Sequence, residues 1–313
     1  MTQTTKEVFE KYQVRKSKKQ RKAFIEYVKG VCEKYGYDVK TEKGYFGAKN
    51  IIVGDVDKAK VLYTAHYDTC ARLFFPNFIT PKNFFIYLIY QFLIVAGFVA
   101  VAVFFGILSS VILTYCGASE YGVIEISKDI SLIVYFLMLF LMIFGPANKH
   151  TANDNTSGVT TLLDIMTTLN DEQKDKVAFI FFDLEEAGLF GSSTFASKHK
   201  NIAQSKLVIN FDCVSDGKTI LFALKKTTKK HKELLQNVFK SNETITVDIA
   251  DKGVFYPSDN MSFKEGIGVA ALKTFKNTKT LYMDRIHTSK DTVYDEENIS
   301  YLVDGSIKLL ELL

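Results

Sequence analysis

Histidine and carboxylate side chains recur in five short segments that lie far apart in the sequence. The segments are His66-Tyr67-Asp68, Asp154-Asn155, Asp183-Leu184-Glu185-Glu186, Asn210-Phe211-Asp212 and His287-Thr288. Imidazole nitrogen and carboxylate oxygen are ligands that zinc accepts in proteins, and a catalytic zinc site keeps one position open for water or substrate. Together the segments supply enough ligands for two metal ions that activate a water molecule. The residue types therefore predict hydrolysis at a metal centre.

Three of these segments directly follow apolar runs that are typical of buried strands. The runs are residues 61–65, 178–182 and 207–209, and they are rich in β-branched and aromatic side chains. Parallel strands present their carboxyl ends at one edge of a sheet, where the ligand sites of α/β folds lie. We therefore expect an α/β fold with a mixed, mostly parallel sheet, and convergence of the five segments at one edge. Helical spacing of apolar residues predicts flanking helices within 5–35, 162–169, 192–198 and 301–313.

With their neighbours, the five segments form longer motifs. They read Ala-His-Tyr-Asp-Thr (65–69), Asn-Asp-Asn-Thr-Ser-Gly-Val (153–159), Phe-Asp-Leu-Glu-Glu-Ala-Gly-Leu-Phe-Gly-Ser (182–192), Asn-Phe-Asp (210–212) and Ile-His-Thr-Ser-Lys-Asp-Thr (286–292). In type and in order they resemble metallopeptidase family 28, the co-catalytic zinc aminopeptidases, whose relatives include glutaminyl cyclases and glutamate carboxypeptidase. The resemblance runs from about residue 20 to the end of the chain, except for a block between Phe74 and Ala147.

This resemblance implies two zinc ions, with cobalt or manganese as alternatives, and a ligand set for each ion. Asp154 would bridge the two ions. His66 and Asp212 would complete one site, and Glu186 and His287 would complete the other.

Two further acids would serve the reaction itself. By resemblance, Glu185 is the general base that takes a proton from the attacking water. Asp68 lies two residues after His66, on the same face of an extended segment. We expect Asp68 to accept the other ring N–H of His66 and so fix its tautomer.

Two positions depart from the family pattern. Asn260 stands where a His or Tyr commonly follows Ser-Asp, and Ile286 stands where some members carry a Tyr before the last His. That Tyr can help to stabilise the oxyanion. The departure leaves the oxyanion donor open, with Tyr256 and Tyr294 as candidates.

The amino-acid composition limits the classes of binding partner and the cellular compartments that we expect for this protein. The formal net charge of the 313-residue chain is only +4, and its basic residues do not alternate with aromatics suited to stacking bases, so nucleic acid is not an expected partner. The four cysteines are scattered without Cys-x-x-Cys spacing, which fits a reducing compartment. The first 20 residues are polar and charged, unlike a secretory signal peptide. A basic run at 15–22 is either solvated or a contact for anionic lipid head groups.

The block that departs from the family is strongly apolar. No charged residue lies between Lys82 and Glu120, and a second uncharged stretch runs from Ile130 to Asn148. A membrane-spanning helix needs about 20 apolar residues. We therefore predict a transmembrane helical hairpin at 83–146, with spans at 84–115 and 130–144, inserted into a zinc peptidase domain formed by 1–82 and 147–313. The alternative is a hairpin buried in a soluble core or at a dimer interface.

The charges that flank the hairpin predict its orientation. Arg72, Lys82 and Lys149 lie on the domain side, whereas the predicted connecting loop at 117–129 is mainly acidic. The positive-inside rule then places the catalytic domain and both termini in the cytoplasm, with the protein as a multi-pass component of the cell membrane. Fewer than about ten residues join the second span to Asp154, a reach under about 30 Å. We therefore expect the metal centre near the membrane surface.

The leading hypothesis is a membrane-anchored metallo-exopeptidase, an aminopeptidase that removes N-terminal residues from peptides, including membrane-associated ones. Two alternatives stay open. One is a glutaminyl cyclase-like acyltransferase, a group that works with one zinc ion. The other is a non-catalytic receptor or scaffold on the same fold. The sequence does not fix the preferred N-terminal residue or the oligomeric state.

Overall fold

The structure, a computed structural model, describes residues 1–313 and divides into two compact units. The first unit, here called the catalytic unit, comprises residues 1–84 and 147–313. The second, here called the hairpin unit, comprises residues 85–146. All five ligand-bearing segments lie in the catalytic unit.

A single mixed sheet of nine strands forms the centre of the catalytic unit. The strands are β1 (Val39–Lys43), β2 (Lys49–Val53), β3 (Val61–His66), β4 (Val177–Phe182), β5 (Leu207–Phe211), β6 (Thr219–Ala223), β7 (Thr246–Ala250), β8 (Gly266–Thr274) and β9 (Leu281–Tyr282). Their order is β1-β2-β4-β3-β5-β8-β6-β7, with β9 paired to β8. The central strands β4, β3, β5 and β8 are parallel. The predicted α/β class with a mixed sheet flanked by helices is confirmed, although the strand pairs are evenly divided, four parallel and four antiparallel, rather than mostly parallel.

Helices cover both faces of this sheet. In the catalytic unit they are α1 (Gln3–Tyr12), α2 (Lys18–Tyr35), α5 (Gly158–Thr168), α6 (Asp171–Lys174), α7 (Phe190–Lys198), α8 (Lys200–Ser205), α9 (Lys232–Val238) and α10 (Glu296–Leu312). Successive side chains of a strand point to opposite faces. On one face Tyr63 packs with the larger group of helices, and on the other Leu62 packs with Phe195 of α7 and Ile202 of α8. The central strands are buried on both faces, which explains their continuous apolar runs.

Gly158 shows how closely the site-bearing elements approach one another. It is the first residue of α5, and a Cβ added there would lie 2.2 Å from the Phe211 carbonyl oxygen and 2.4 Å from Asn155 Oδ1. The carbonyl belongs to a backbone fixed in the sheet, so it cannot move away cheaply. Glycine is required at this position by close approach.

We expect Gly158→Ala to destabilise the protein by about 1–3 kcal/mol, the usual cost of overpacking a core. Gly30→Ala is the matched control, because Gly30 lies inside α2 with nothing within 4 Å of the added Cβ. There alanine should raise stability by about 0.5–1 kcal/mol through its higher helix propensity. The midpoints of thermal unfolding of the two variants should move in opposite directions, and equal midpoints would contradict the packing described here.

Two long helices account for the hairpin unit: α3 (Phe84–Tyr115) and α4 (Glu120–Phe144). At 1.5 Å per residue they reach roughly 48 and 37 Å, and a bilayer core is about 30 Å thick. Both are long and apolar enough to span a membrane. The predicted acidic loop at 117–129 is wrong, because α4 already begins at Glu120. Ser119 caps it by accepting from Gly122 N, and Glu125 pairs with Lys128 one turn along the helix.

Small residues form the contact between the two helices. Ala102 and Gly106 of α3 and Ser127 of α4 are the buried residues of the pair. A Cβ on Gly106 would meet Ser131 Oγ at 2.1 Å and the Ser127 carbonyl at 3.2 Å. Helices that associate in lipid use small residues in this way. Most of the remaining apolar side chains of α3 and α4 are exposed.

Candidate metal centre

The two carboxylate oxygens of Asp154 face two different histidines. Its Oδ1 lies 3.3 Å from His66 Nε2, and its Oδ2 lies 3.0 Å from His287 Nε2. Asp154 itself is almost completely buried. This arrangement is the one that a carboxylate bridging two ions requires.

Each histidine also faces a second carboxylate. His66 Nε2 lies 3.4 Å from Asp212 Oδ1, and His287 Nε2 lies 3.2 Å from Glu186 Oε2. The structure therefore brings together all five residues that the sequence nominated as ligands. They form two adjoining clusters that share Asp154.

The ends of three parallel strands deliver most of these side chains. His66 is the last residue of β3, Asp212 follows the last residue of β5, and Glu185 and Glu186 follow β4. Three residues of the site have left-handed backbones although none is glycine: Leu184 after β4, Cys213 after β5 and His287 in the loop after β9, with φ of 55°, 58° and 60°. Strained backbone of this kind collects at functional sites. Here Leu184 precedes Glu185, Cys213 follows Asp212, and His287 itself has the left-handed backbone.

Asparagine side chains hold the Asp154 segment against the strand ends. Asn155 Nδ2 donates to the Phe211 carbonyl at 3.0 Å, and Asn155 Oδ1 accepts from Cys213 N at 3.2 Å. Asn153 Oδ1 accepts from the backbone N–H groups of Ser215 and Asp216 at 2.8 and 3.0 Å. The segment 153–155 is thereby fixed to the chain that carries Asp212.

Asp291 is a further buried acid that the sequence prediction did not use. Its two oxygens accept from the backbone N–H groups of Asn153 and Asp154 at 2.7 and 3.0 Å. Burial and the nearby Asp154 charge raise the pKa of Asp291 to about 8. Asp291 lies four residues after His287, so it links the last motif to the bridging aspartate.

Asp68 makes the corresponding link on the other side. His66 Nδ1 lies 3.1 Å from the Asp68 carbonyl oxygen and 3.6 Å from its carboxylate. The carboxylate accepts from the backbone N–H groups of Glu185 and Glu186 at 3.0 and 3.3 Å. Asp68 therefore orients both the His66 ring and the Glu185-Glu186 turn. The ring hydrogen bond runs to the backbone of Asp68, whereas the sequence prediction gave this role to its side chain.

Two arginines of the predicted basic run turn inward. Arg15 is fully buried, with Nε donating to the Tyr67 carbonyl at 2.5 Å and Nη1 to Thr156 Oγ1 at 3.3 Å. Arg21 Nε lies 2.9 Å from Asp183 Oδ1. For these two residues, both interpretations made from the sequence, solvation and lipid contact, are wrong. They support the backbone around the metal centre.

Two other buried groups lie near the centre without having been predicted. Cys70 has its sulfur in one cluster with Asp154, Glu186 and His287. Asp259 is fully buried, and burial raises its pKa to about 7, while the charge of His66 opposes the rise. Nothing in the local sequence assigns Cys70 to the centre, whereas Asp259 belongs to the Ser-Asp pair before Asn260 that the sequence comparison with the family had singled out without giving it a role.

The donor set fits zinc. The clusters consist of imidazole nitrogens and carboxylate oxygens, with one thiol, and these are the atoms that zinc prefers. Glu186 Oε1 is buried and has no hydrogen-bond partner. Burial and neighbouring carboxylates raise the pKa of Glu185 and of Glu186 well above the ordinary value. Acids packed this densely need cations beside them to stay ionised.

Neither tyrosine nominated as oxyanion donor is free for that role. Tyr256 donates its hydroxyl to the Asp212 carbonyl at 3.0 Å. The Tyr294 hydroxyl is hydrogen-bonded to Thr160 Oγ1 at 2.9 Å, and its ring packs on Phe9. Tyr256 thus supports the backbone at a ligand, and Tyr294 belongs to the interface between α1 and α5.

We expect zinc binding to release protons, and zinc affinity to fall as the pH is lowered. Burial lowers the pKa of His66 and of His287, but the surrounding carboxylates outweigh it and raise both above the ordinary value. A ligand imidazole must be neutral, so binding displaces these protons. An unperturbed histidine titrates at a pH of about 6.5. Because the pKa values of His66 and His287 are raised in the metal-free fold, zinc affinity should already begin to fall, as the pH is lowered, before that pH is reached. Calorimetric zinc titrations in buffers of different ionisation enthalpy count the protons, and a count of zero would contradict the prediction.

Known proteins share this fold. LapA aminopeptidase of Legionella pneumophila superimposes with a TM-score of 0.56 at 14% identity, covering 98% of this chain and 69% of its own. A leucine aminopeptidase precursor from Bacteroides thetaiotaomicron superimposes with a TM-score of 0.57 at 16% identity, and the match covers 98% of this chain and 94% of the precursor. Porphyromonas gingivalis glutaminyl cyclase superimposes with a TM-score of 0.58 at 16% identity, and the match covers 99% of this chain and 95% of the cyclase. At these identities the similarity establishes the fold alone.

Sequence comparison gives the family. No curated protein matches the chain in sequence. The sequence profile of peptidase family M28 matches residues 140–303, which include Asp154, Glu185, Glu186, Asp212 and His287. The resemblance drawn from the five motifs is therefore confirmed, and the protein is a peptidase that belongs to peptidase family M28.

Proposed function

We propose that the protein is a membrane-anchored aminopeptidase that uses two zinc ions. One observation carries the two-ion part of the proposal: the oxygens of Asp154 are directed to separate histidines, each of which has a second carboxylate beside it. His66 and Asp212 would hold one ion, and Glu186 and His287 the other.

The chain's own residues would carry the proton transfers. Bound zinc would polarise the scissile carbonyl and lower the pKa of the attacking water. Glu185 follows the strand end beside Glu186, and its carboxylate lies within 4.8 Å of a His66 nitrogen and a Glu186 oxygen. It would accept the proton of the attacking water and pass it to the leaving amine. Asp68 would keep Glu185 in place through the backbone N–H that it binds.

Charge favours the N-terminal end of a peptide as the substrate. Besides the five carboxylates assigned as ligands or positioning groups, the site holds Glu185 and the buried Asp259, so its acids outnumber the four positive charges of two zinc ions. A site with surplus acid attracts a terminal ammonium and repels a terminal carboxylate. This argument favours an aminopeptidase over a carboxypeptidase.

A panel of small substrates tests the reaction. The zinc-loaded protein should hydrolyse aminoacyl amides and should leave their N-acetylated analogues intact. Prior removal of zinc by a chelator should abolish the reaction, and added zinc should restore it. Equal hydrolysis of free and N-blocked amides would contradict aminopeptidase action.

A glutaminyl cyclase is the second candidate, because a cyclase is among the proteins that share the fold. Peptides with an N-terminal glutamine distinguish the two reactions. Cyclisation releases ammonia and leaves a pyroglutamyl peptide, whereas an aminopeptidase releases free glutamine. Cyclisation without any hydrolysis would replace the proposed function, and two bound zinc ions with neither reaction would favour a receptor or scaffold.

Membrane anchoring is proposed from the hairpin unit. Most of its large apolar side chains are exposed along two helices of sufficient length, and the contact between the helices is made by small residues. Lipid would cover such a surface, and the helices satisfy their own backbone hydrogen bonds. With basic residues flanking the domain side, the catalytic unit and both termini would lie in the cytoplasm.

The native cysteines offer a direct test of topology. Cys116, at the turn between α3 and α4, is the one exposed cysteine; the other three are buried. A membrane-impermeant maleimide should therefore label the wild-type protein on intact cells. The matched control combines Cys116→Ser with Gln236→Cys, which places the thiol at an exposed position of α9. It should be labelled only after lysis, and labelling of the control on intact cells would contradict the cytoplasmic orientation.

A further inference from the structure

An aromatic cluster lies on the catalytic unit next to the residue where α3 begins. The Phe275 and Tyr282 rings stack at 4.1 Å, and Phe78 lies 5.6 Å from Tyr282 and 6.2 Å from Phe275. Phe255 lies 5.7 Å from Phe84, the first residue of α3. The aromatic rings thus form two groups, and residues 78–84 connect them, because Phe78 belongs to the first group and Phe84 to the second.

These rings are not part of a buried core. Phe275 is 42% exposed and Phe255 is 40% exposed, and both lie in loops outside the strands. Exposed apolar groups that gather on one surface mark an interaction site more often than isolated ones do. The cluster therefore needs a partner with an apolar component.

Two lysines lie in the same loop as Phe275. The segment from Thr274 to Thr280 carries Lys276 and Lys279 and no acid, and neither lysine is paired with a carboxylate. Lys82 is also at this face, where it pairs with Asp248 at 2.7 Å. Aromatic rings with lysines around them match the layer of a bilayer where head groups meet acyl chains.

Backbone hydrogen bonds tie the cluster to the start of α3. Ile79 exchanges two hydrogen bonds with Met283, at 2.9 and 3.0 Å, and Phe255 N donates to the Pro81 carbonyl at 2.8 Å. The loop that carries Phe255 and the strand β9 that carries Tyr282 are therefore fixed to the segment that leads into the first apolar helix. If α3 spans a membrane, the chain enters that membrane at Phe84, and Phe255 contacts this residue.

We propose that this face, which we name the root collar (Phe78, Phe255, Phe275, Lys276, Lys279 and Tyr282), docks the catalytic unit onto the surface of an anionic bilayer. The inference rests on the proposed membrane anchoring. The aromatic rings of the root collar enter the interfacial layer of the bilayer, and the lysines of the root collar contact anionic head groups.

Docking through the root collar has a consequence for the substrate. The chain between β3 and α3 also borders the metal centre, because Leu73 N donates to the His287 carbonyl at 2.7 Å. Ala71 pairs with Ala147 in the returning chain, so both connections run beside this centre. The site is then held near the membrane surface, where peptides with apolar tails are concentrated. N-termini that emerge from the head-group layer are the substrates that this geometry favours.

Tryptophan fluorescence tests the root collar, because the chain contains no tryptophan. Full-length Phe275→Trp is reconstituted into vesicles of phosphatidylglycerol and phosphatidylcholine, with bromine either near the head group or near the methyl end. Phe104→Trp, in the middle of α3, and Phe46→Trp, in an exposed loop after β1, are the references. Retained peptidase activity confirms that each variant is folded.

We expect emission from Phe275→Trp to shift to shorter wavelength and to be quenched most by shallow bromine. Phe104→Trp should be quenched most by deep bromine, and Phe46→Trp by neither. If Phe104→Trp is quenched but Phe275→Trp behaves like Phe46→Trp, the root collar is overturned and the spanning hairpin stands. If Phe104→Trp is not quenched, the anchoring proposal fails and the root collar fails with it.

Charge reversal provides a second measurement. In the Phe275→Trp background, Lys276→Glu with Lys279→Glu should reduce the wavelength shift, and the reduction should be larger in phosphatidylglycerol vesicles than in neutral ones. An unchanged shift in both kinds of vesicle would overturn the role of the lysines in docking.

Discussion

Glu185→Gln should abolish peptide hydrolysis while leaving the zinc content of the purified protein nearly unchanged. A positioned general base contributes about 10²–10⁴ in rate, and an amide cannot accept the proton of the attacking water. The substitution preserves the size of the side chain and the backbone N–H that donates to Asp68. The fold and the ligand set should therefore persist.

Glu186→Gln is the matched comparison, because the two glutamates are neighbours in the same turn. Glu186 Oε2 faces His287, so its loss should lower zinc occupancy together with the rate. Steady-state kinetics and elemental analysis on both variants separate the two roles. Wild-type turnover in Glu185→Gln would show that base and ligand have been assigned the wrong way round. The same conclusion would follow if Glu185→Gln lost zinc while Glu186→Gln retained it.

Asp154→Asn should lower the affinity for both zinc ions at once. Removing an outer partner of a ligand typically costs about 10- to 100-fold in metal affinity, and Asp154 is assigned to both ions directly. The amide retains one oxygen, so it can still face one histidine, but it carries no charge. We expect competition with a chromophoric chelator to show weakened binding at both sites and hydrolysis to be lost.

Asp164→Asn is the control for this variant. Asp164 is also a buried acid, but it accepts hydrogen bonds from Thr2, the N-cap of α1, and from Thr5 within α1. Zinc affinity in Asp164→Asn should stay at the wild-type level, since the side chain faces away from both clusters. Wild-type affinity at either zinc site in Asp154→Asn would contradict the bridging assignment.

The convergence of three ligand segments could be predicted because strand ends follow simple rules, whereas the assignment of all five ligands, including Asp154 and His287, came from the resemblance to family 28. His66 and Asp212 come directly after, or at the end of, buried strands, and parallel strands bring such residues together. The Glu185-Glu186 pair follows β4 for the same reason. For these three segments, local sequence thus predicted both the strands and the edge at which they meet.

The residues around the ligands could not be predicted in this way. Arg15 lies in a charged run that indicates solvent, yet it is fully buried because the backbone carbonyls of Tyr67 and Tyr12 accept its hydrogen bonds. Asp291 and Asp259 depend on contacts between segments distant in sequence. Pairings of this kind are set by tertiary packing, which single-sequence patterns do not encode.

The start of α4 shows a different limit. Glu120, Glu125 and Asp129 suggest a loop when apolar length is the only criterion, but charged residues are compatible with a helix that extends beyond a membrane. The Ser119 cap and the Glu125–Lys128 pair stabilise that extension. Apolar length therefore predicted the presence of the second helix and misplaced its beginning.

Counting zinc per chain during reconstitution tests the central claim most directly. The chelated protein is titrated with zinc while bound metal and aminopeptidase activity are followed together. We expect two zinc ions per chain, with anomalous scattering from a crystal placing them on either side of Asp154. Full activity with a single bound zinc, or with none, would contradict the two-ion account.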